Sequence, residues 1–142
     1  MSEAPAPSPH THPIRVYWED TDAGGIVYHA SHVRFFERGR TELLRAMGVH
    51  QSATVDRSEE TALLFTVRRM EIDYLKPAFL DDLLAVETSV QDLGGSRVTL
   101  LQRLTRGEDL VAEAVVTVVA VGGNGRPKRL PPDLRARFVA LQ

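Results

Sequence analysis

Two stretches in the second half of the chain alternate apolar and polar side chains with the two-residue period of a half-buried strand. In the first, Leu84, Val86, Thr88 and Val90 face one way and Glu87, Ser89 and Gln91 the other. Gly94-Gly95 marks a hairpin, and Val98, Leu100 and Leu104 then share one face of a strand over Arg97–Thr105. After a turn at Gly107-Glu108-Asp109, Leu110–Val121 is apolar almost throughout, which predicts a strand buried on both faces. An earlier strand, Thr61–Lys76, changes phase. Leu63, Phe65 and Val67 alternate on odd positions, and Met70, Ile72 and Tyr74 on even ones. A β-bulge at Arg68-Arg69 keeps both sets on one side of the sheet.

Near the N-terminus, Ile14–Trp18 is rich in β-branched and aromatic residues and predicts another strand. A helix follows from about Ser31 to Met47, stopped by Gly48. Val33, Phe36, Arg40, Leu43, Leu44 and Met47 follow helical spacing, and Phe35 lies off that stripe, so the apolar surface is wide. Val49–Glu60 is polar and aperiodic and reads as a loop, as does Gly122–Gly125; Leu134–Leu141 reads as a short terminal helix. The order β-α-β-β-β-β predicts an α+β domain in which one long helix packs on a five-stranded antiparallel sheet.

Composition narrows this only a little. At 142 residues the chain fits one domain with a proper core. A net charge of -2 gives no reason to expect nucleic acid as a partner, and no apolar run approaches the roughly 18 residues of a membrane span. Cysteine is absent, which removes disulfides, thiolate metal ligands and a cysteine nucleophile and fits a cytoplasmic location. Residues 1–13 carry four prolines and no signal-peptide core, and are expected to be a disordered tail, leaving 14–142 as a single domain.

The chemistry is concentrated in Glu19-Asp20-Thr21-Asp22-Ala23-Gly24-Gly25-Ile26-Val27-Tyr28-His29. Two carboxylates, a glycine pair and a histidine fall between the predicted strand and helix. Such groups can do acid–base or nucleophilic work. Glycine lets backbone approach a ligand closely. A helix start offers free N–H groups to a negative oxygen. From the residues alone, Asp22 is equally a turn aspartate bonding its own backbone, and His29 an ordinary helix-start residue.

The run from Arg15 to Ser31, read as Arg-Val-Tyr-Trp-Glu-Asp-Thr-Asp-Ala-Gly-Gly-Ile-Val-Tyr-His-Ala-Ser, resembles the signature of the YbgC-type acyl-CoA thioesterases. These are grouped with the 4-hydroxybenzoyl-CoA thioesterases of the hotdog fold. The likeness continues through Phe35–Glu42 and Arg68–Tyr74 and spans Ile14 to Phe138. It implies a hotdog domain whose central helix is wrapped by the sheet. Such domains pair edge to edge into a homodimer or homotetramer, with active sites at the interface. It also implies hydrolysis of acyl-CoA without any cofactor. Asp22 corresponds to the catalytic carboxylate, acting as general base or nucleophile, and the His29 backbone N–H points at the thioester carbonyl. Asp20 is expected to act as a structural cap. Gly24 and Gly25 shape the loop, and Tyr28 and Phe65 line an apolar slot for the acyl group. Trp18, grouped with Gly24, Gly25, Tyr28 and Phe65 as substrate-binding, stands where relatives often carry a tyrosine; an indole cannot accept a proton, so packing is the expected role of that ring. Arg97, Arg126, Lys128 and Arg129 are available to the CoA phosphates, and acyl-carrier protein is a further possible bearer of the substrate.

Two other classes stay open. One is a non-catalytic acyl-carrier or protein-binding module of the same fold. The other is a hydroxyacyl thioester dehydratase, with His29 and Glu37 as its paired histidine and acid. Other motifs are weaker. Gly94-Gly95-Ser96-Arg97-Val98 lacks the second glycine of a nucleophile elbow. His10 and His12 lack a third metal ligand, and Asp20 and Asp22 lack further clustered oxygens for a cation.

Overall fold

The computed structural model describes residues 9–49 and 62–142. Five antiparallel strands form one sheet: β1 His10–Arg15, β2 Leu64–Tyr74, β3 Leu83–Leu93, β4 Arg97–Arg106 and β5 Asp109–Val121, in the order β1-β3-β4-β5-β2. The long helix α1, His29–Ala46, packs on β1, β3 and β4, and a short helix α2, Pro132–Val139, packs on β3. This is the α+β arrangement expected from the element order, and the hotdog fold that the resemblance implies.

The anticipated bulge lies where the phase changes. Val67 pairs with Val118 and Arg69 with Thr117, leaving Arg68 as the extra residue. Phe65, Met70 and Ile72 therefore all pack toward the core. The first strand differs from expectation. It begins at His10, within the proline-rich stretch expected to be a tail, and His10–Arg15 pairs with Leu83–Thr88 of β3. Pro13 is tolerated there because β1 is an edge strand, where a missing N–H costs no ladder bond on the open side. Pairing ends at Val16, and Trp18–Asp20 forms a 3₁₀ turn rather than more strand. The expected loop over Val49–Glu60 lies, apart from Val49, outside the described residues.

The covered face of α1 is rotated from the predicted stripe. Phe35, Phe36, Gly39, Leu43 and Leu44 are buried, whereas Val33 is exposed. Gly39 marks a close approach to the sheet: a Cβ there would collide with Cγ1 of Val86. The next residue, Arg40, owes its place on the inner face to a buried amide. Its Nη1 donates to Oε1 of Gln102 at 3.0 Å, and Nε2 of Gln102 donates to the Phe36 carbonyl at 3.0 Å and to Oγ1 of Thr88 at 3.1 Å. Gln102 is fully buried with its amide oxygen and nitrogen both engaged, so the polar group adds specificity without an orphaned atom. β5 has consecutive buried residues at Val111–Ala112 and over Val118–Val121, where the segment after it folds back and Lys128 N–H donates to the Ala120 carbonyl. Earlier in the strand, Glu113, Val115 and Thr117 remain half-buried.

Candidate active site

The loop between the 3₁₀ turn and α1 is closed by its own hydrogen bonds. Thr21 bridges Val27, Asp22 N–H donates to the Ile26 carbonyl at 2.8 Å, and Gly25 N–H donates to the Asp22 carbonyl at 3.1 Å. Gly25 sits at φ 77°, in the left-handed region that a side chain would strain. Oδ1 of Asp22 accepts from the N–H groups of Gly24 at 2.9 Å and Ile26 at 3.3 Å. Asp22 is thus a turn aspartate in the full sense. Those same bonds hold its carboxylate in one orientation at the surface, and Oδ2 has no partner among the described residues. The loop rests on residues 78–80: Val27 N–H donates to the Ala78 carbonyl and Leu80 N–H to the Gly25 carbonyl.

Asp20 behaves differently from its neighbour two residues on. It is 2% exposed, and its Oδ2 accepts the Tyr17 N–H at 2.9 Å, which is a structural use of the side chain. Its main-chain carbonyl receives both the Tyr28 N–H at 2.9 Å and the Ser31 hydroxyl at 3.0 Å, joining the base of the loop to the first turn of α1.

At that first turn, the N–H of His29 has no partner among the described residues, as a helix start requires. The carbonyl of His29 accepts the Tyr74 hydroxyl at 2.9 Å, so the end of β2 fixes the helix start from the other side. Rings gather here: Tyr28 lies 4.4 Å from His29, and Tyr74 meets His32 edge-on at 4.8 Å. His32 was not singled out from the sequence. It is buried, its Nδ1 lies 3.3 Å from the Tyr28 carbonyl, and burial lowers its pKa below the ordinary histidine value. The i, i+3 spacing from His29 was the available signal.

Other anticipated residues lie elsewhere. Trp18 is 74% exposed beside Tyr17, Glu19, Leu80 and Asp81, so the expected packing of its ring does not occur within this chain. Phe65 stands at the opposite end of β2 from Tyr74, about 30 Å away along an extended strand. There it meets Phe138 edge-on and helps line a cavity of about 150 Å³ with Leu43, Leu44, Leu100 and Val118. A single chain therefore does not bring Tyr28 and Phe65 together. The basic candidates also lie toward that far end. Arg97 pairs with Asp92 at 3.3 Å, Lys128 donates to the Ala62 carbonyl at 3.1 Å, Arg129 lies against Gly95, and Arg126 is exposed on the loop after β5. Glu37 is two helical turns beyond His29, about 12 Å along the axis, and its carboxylate accepts the Thr41 hydroxyl. Among the described residues no three His, Asp or Glu side chains gather as a metal site, and no helix is long and apolar enough to cross a membrane.

A long helix laid on a five-stranded antiparallel sheet, with an acidic glycine loop clamped against the helix start, defines a hotdog-type domain. Residues 16–138 match the thioesterase-like superfamily. The chain is 45% identical to the acyl-CoA thioesterase YbgC of Haemophilus influenzae over 131 residues, covering 92% of this chain and 94% of that protein. It is 44% identical over 128 residues to the acyl-CoA thioester hydrolase YbgC of Escherichia coli O157:H7, covering 89% and 92%. Among solved structures, a probable thioesterase from Bartonella henselae is 40% identical and superposes with a TM-score of 0.82, covering 87% of this chain and all of that one. The chain belongs to the thioesterase-like superfamily.

Proposed function

We propose that the protein hydrolyses acyl-CoA thioesters to free acid and CoA, with Asp22 as the reacting carboxylate. The observation that carries the reading is the Asp22 side chain itself, held through Oδ1 with Oδ2 unengaged, in a loop tied to a helix start that has a free N–H. Oδ2 either takes a proton from the attacking water, or attacks the thioester carbonyl to give a mixed anhydride that water then hydrolyses to the free acid and the regenerated carboxylate. The developing negative oxygen is met by the His29 N–H at the positive end of α1, and the thiolate leaves with the CoA. Relatives named as acyl-CoA thioesterases support the substrate class. Acyl-carrier protein can present the same thioester, and the proposed location is the cytoplasm. The test is free-thiol release from a panel of acyl-CoAs, run beside water loss from a 3-hydroxyacyl thioester. Thiol release without dehydration is expected. Dehydration alone would move the chain to the dehydratases, and neither reaction would make it a binding module.

The same reading makes the active unit a dimer or a dimer of dimers. β2 pairs with β5 on one side only, and among the described residues no strand pairs with the other edge of this 11-residue strand. Two copies joined along β2 about a two-fold axis set that strand antiparallel to itself. The Leu64 end of one copy then faces the Tyr74 end of the other. That arrangement brings Phe65 of the partner subunit, with its cavity and nearby basic residues, toward Tyr28 and the acidic loop. Light scattering at assay concentration is expected to give two or four times 15.8 kDa. A fully active species of monomer mass would overturn the arrangement.

A further inference from the structure

The loop that carries Asp22 is a closed unit, so its placement against α1 depends on how its base is fastened. Its fastening to the helix start converges on one atom, the main-chain carbonyl of Asp20. One bond to it is backbone, from Tyr28 N–H at 2.9 Å. The other comes from a side chain, the Ser31 hydroxyl at 3.0 Å. Ser31 is fully buried, and its oxygen in turn accepts Nη2 of Arg34 at 2.8 Å. The same nitrogen lies 3.9 Å from Oδ1 of Asp20, a buried oxygen with no hydrogen-bond partner. One hydroxyl therefore links the loop base, the first turn of α1 and the only counter-charge recorded for the buried Asp20 carboxylate among the described residues.

We infer that Ser31 is a positioning residue for the hydrolysis, setting Asp22 relative to the His29 N–H, with Arg34 acting through it. The inference rests on the catalytic reading of Asp22 given above. Neither Ser31 nor Arg34 touches the reacting groups. Their effect is geometric: the hydroxyl has one proton, and Arg34 donating into its lone pair directs that proton to the Asp20 carbonyl. Without the hydroxyl, the carbonyl keeps only the Tyr28 bond, and the loop can pivot relative to α1 while Val27 and Gly25 keep it on residues 78–80. A shift of about 1 Å between reacting groups can lower turnover on the order of 100-fold. Substrate affinity is set by contacts along the acyl-CoA, which this pivot leaves in place.

The test is a kinetic double-mutant cycle on the full chain, with thermal melts confirming folding. Ser31→Ala is expected to lower kcat by about 10- to 100-fold while KM stays within about threefold. Arg34→Met, at a half-exposed position, removes the donor to Ser31 and should lower kcat by roughly 3- to 10-fold, the scale of one hydrogen bond. Because Arg34 acts through Ser31, the double variant should fall no further than Ser31→Ala, to within about twofold. Wild-type kcat in folded Ser31→Ala overturns the inference, and so does a loss carried wholly by KM. Multiplying losses in the double variant overturn the linkage through Ser31. If Ser31→Ala does not fold, wild-type kcat in Arg34→Met overturns the inference in its place. Full turnover in Asp22→Asn is a separate failure: it removes the catalytic role of Asp22, whereas the Ser31 outcomes leave that role standing.

Discussion

Replacing Asp22 with asparagine is expected to lower kcat by about 100-fold or more, in the range of a lost general base. The substitution is well isolated by the geometry. The turn uses Oδ1 as an acceptor for Gly24 and Ile26 N–H, and an asparagine carbonyl oxygen can accept both bonds. The loop therefore keeps its shape. What changes is the other atom: a carboxylate oxygen able to take a proton or attack carbon becomes an amide nitrogen that can do neither. Asp20→Asn is the matching control. The bonds that fasten the loop go to the Asp20 main chain and survive, while the side chain's bond to Tyr17 N–H can be kept by the amide oxygen. The variant loses the charge facing Arg34 and should show its effect in the melting temperature more than in turnover. Near-normal kcat in a well-folded Asp22→Asn would remove Asp22 from the chemistry.

Local patterns made the sheet legible. The phase change at Arg68-Arg69 is a property of adjacent residues, and the bulge follows from it directly. Gly94-Gly95 likewise reads as the β3–β4 turn from its own chemistry. Expectations failed where a distant residue decides the outcome. Arg40 on an apolar stripe is explained by Gln102, 62 positions later. Residues 10–13 look like tail because of their prolines, yet β3 recruits them as an edge strand. The exposure of Val33 and burial of Phe35 depend on which side of α1 meets the sheet, and helical spacing alone cannot fix that rotation by one residue. In the candidate site the same division holds. The acidic loop was visible as a contiguous run. Tyr74, which reaches the His29 carbonyl from 45 positions away, carries no such signal, and Ser31 reads only as a helix start until its hydroxyl is seen on the Asp20 carbonyl.

The helix start gives the second large effect. His29→Pro is expected to lose turnover by on the order of 100- to 1,000-fold beyond His29→Ala, the usual consequence of deleting one oxyanion donor. His29 is the first residue of α1, where proline is well accommodated because the N–H has no helical partner to lose. Tyr28, just before it, already has φ -65° and ψ 136°, the extended conformation that a following proline demands. The ring thus removes the donor at a position whose backbone already suits it, and the Tyr74 bond to the residue-29 carbonyl can remain. His29→Ala removes the imidazole and its contact with Tyr28 but keeps the N–H, so measurable turnover should persist. Circular dichroism and melting curves establish that both variants fold before kinetics are compared. Equal kcat for the two would show that this amide does not stabilise the transition state. A severe loss already present in His29→Ala would transfer the essential role to the imidazole, beside Tyr28 and the buried His32.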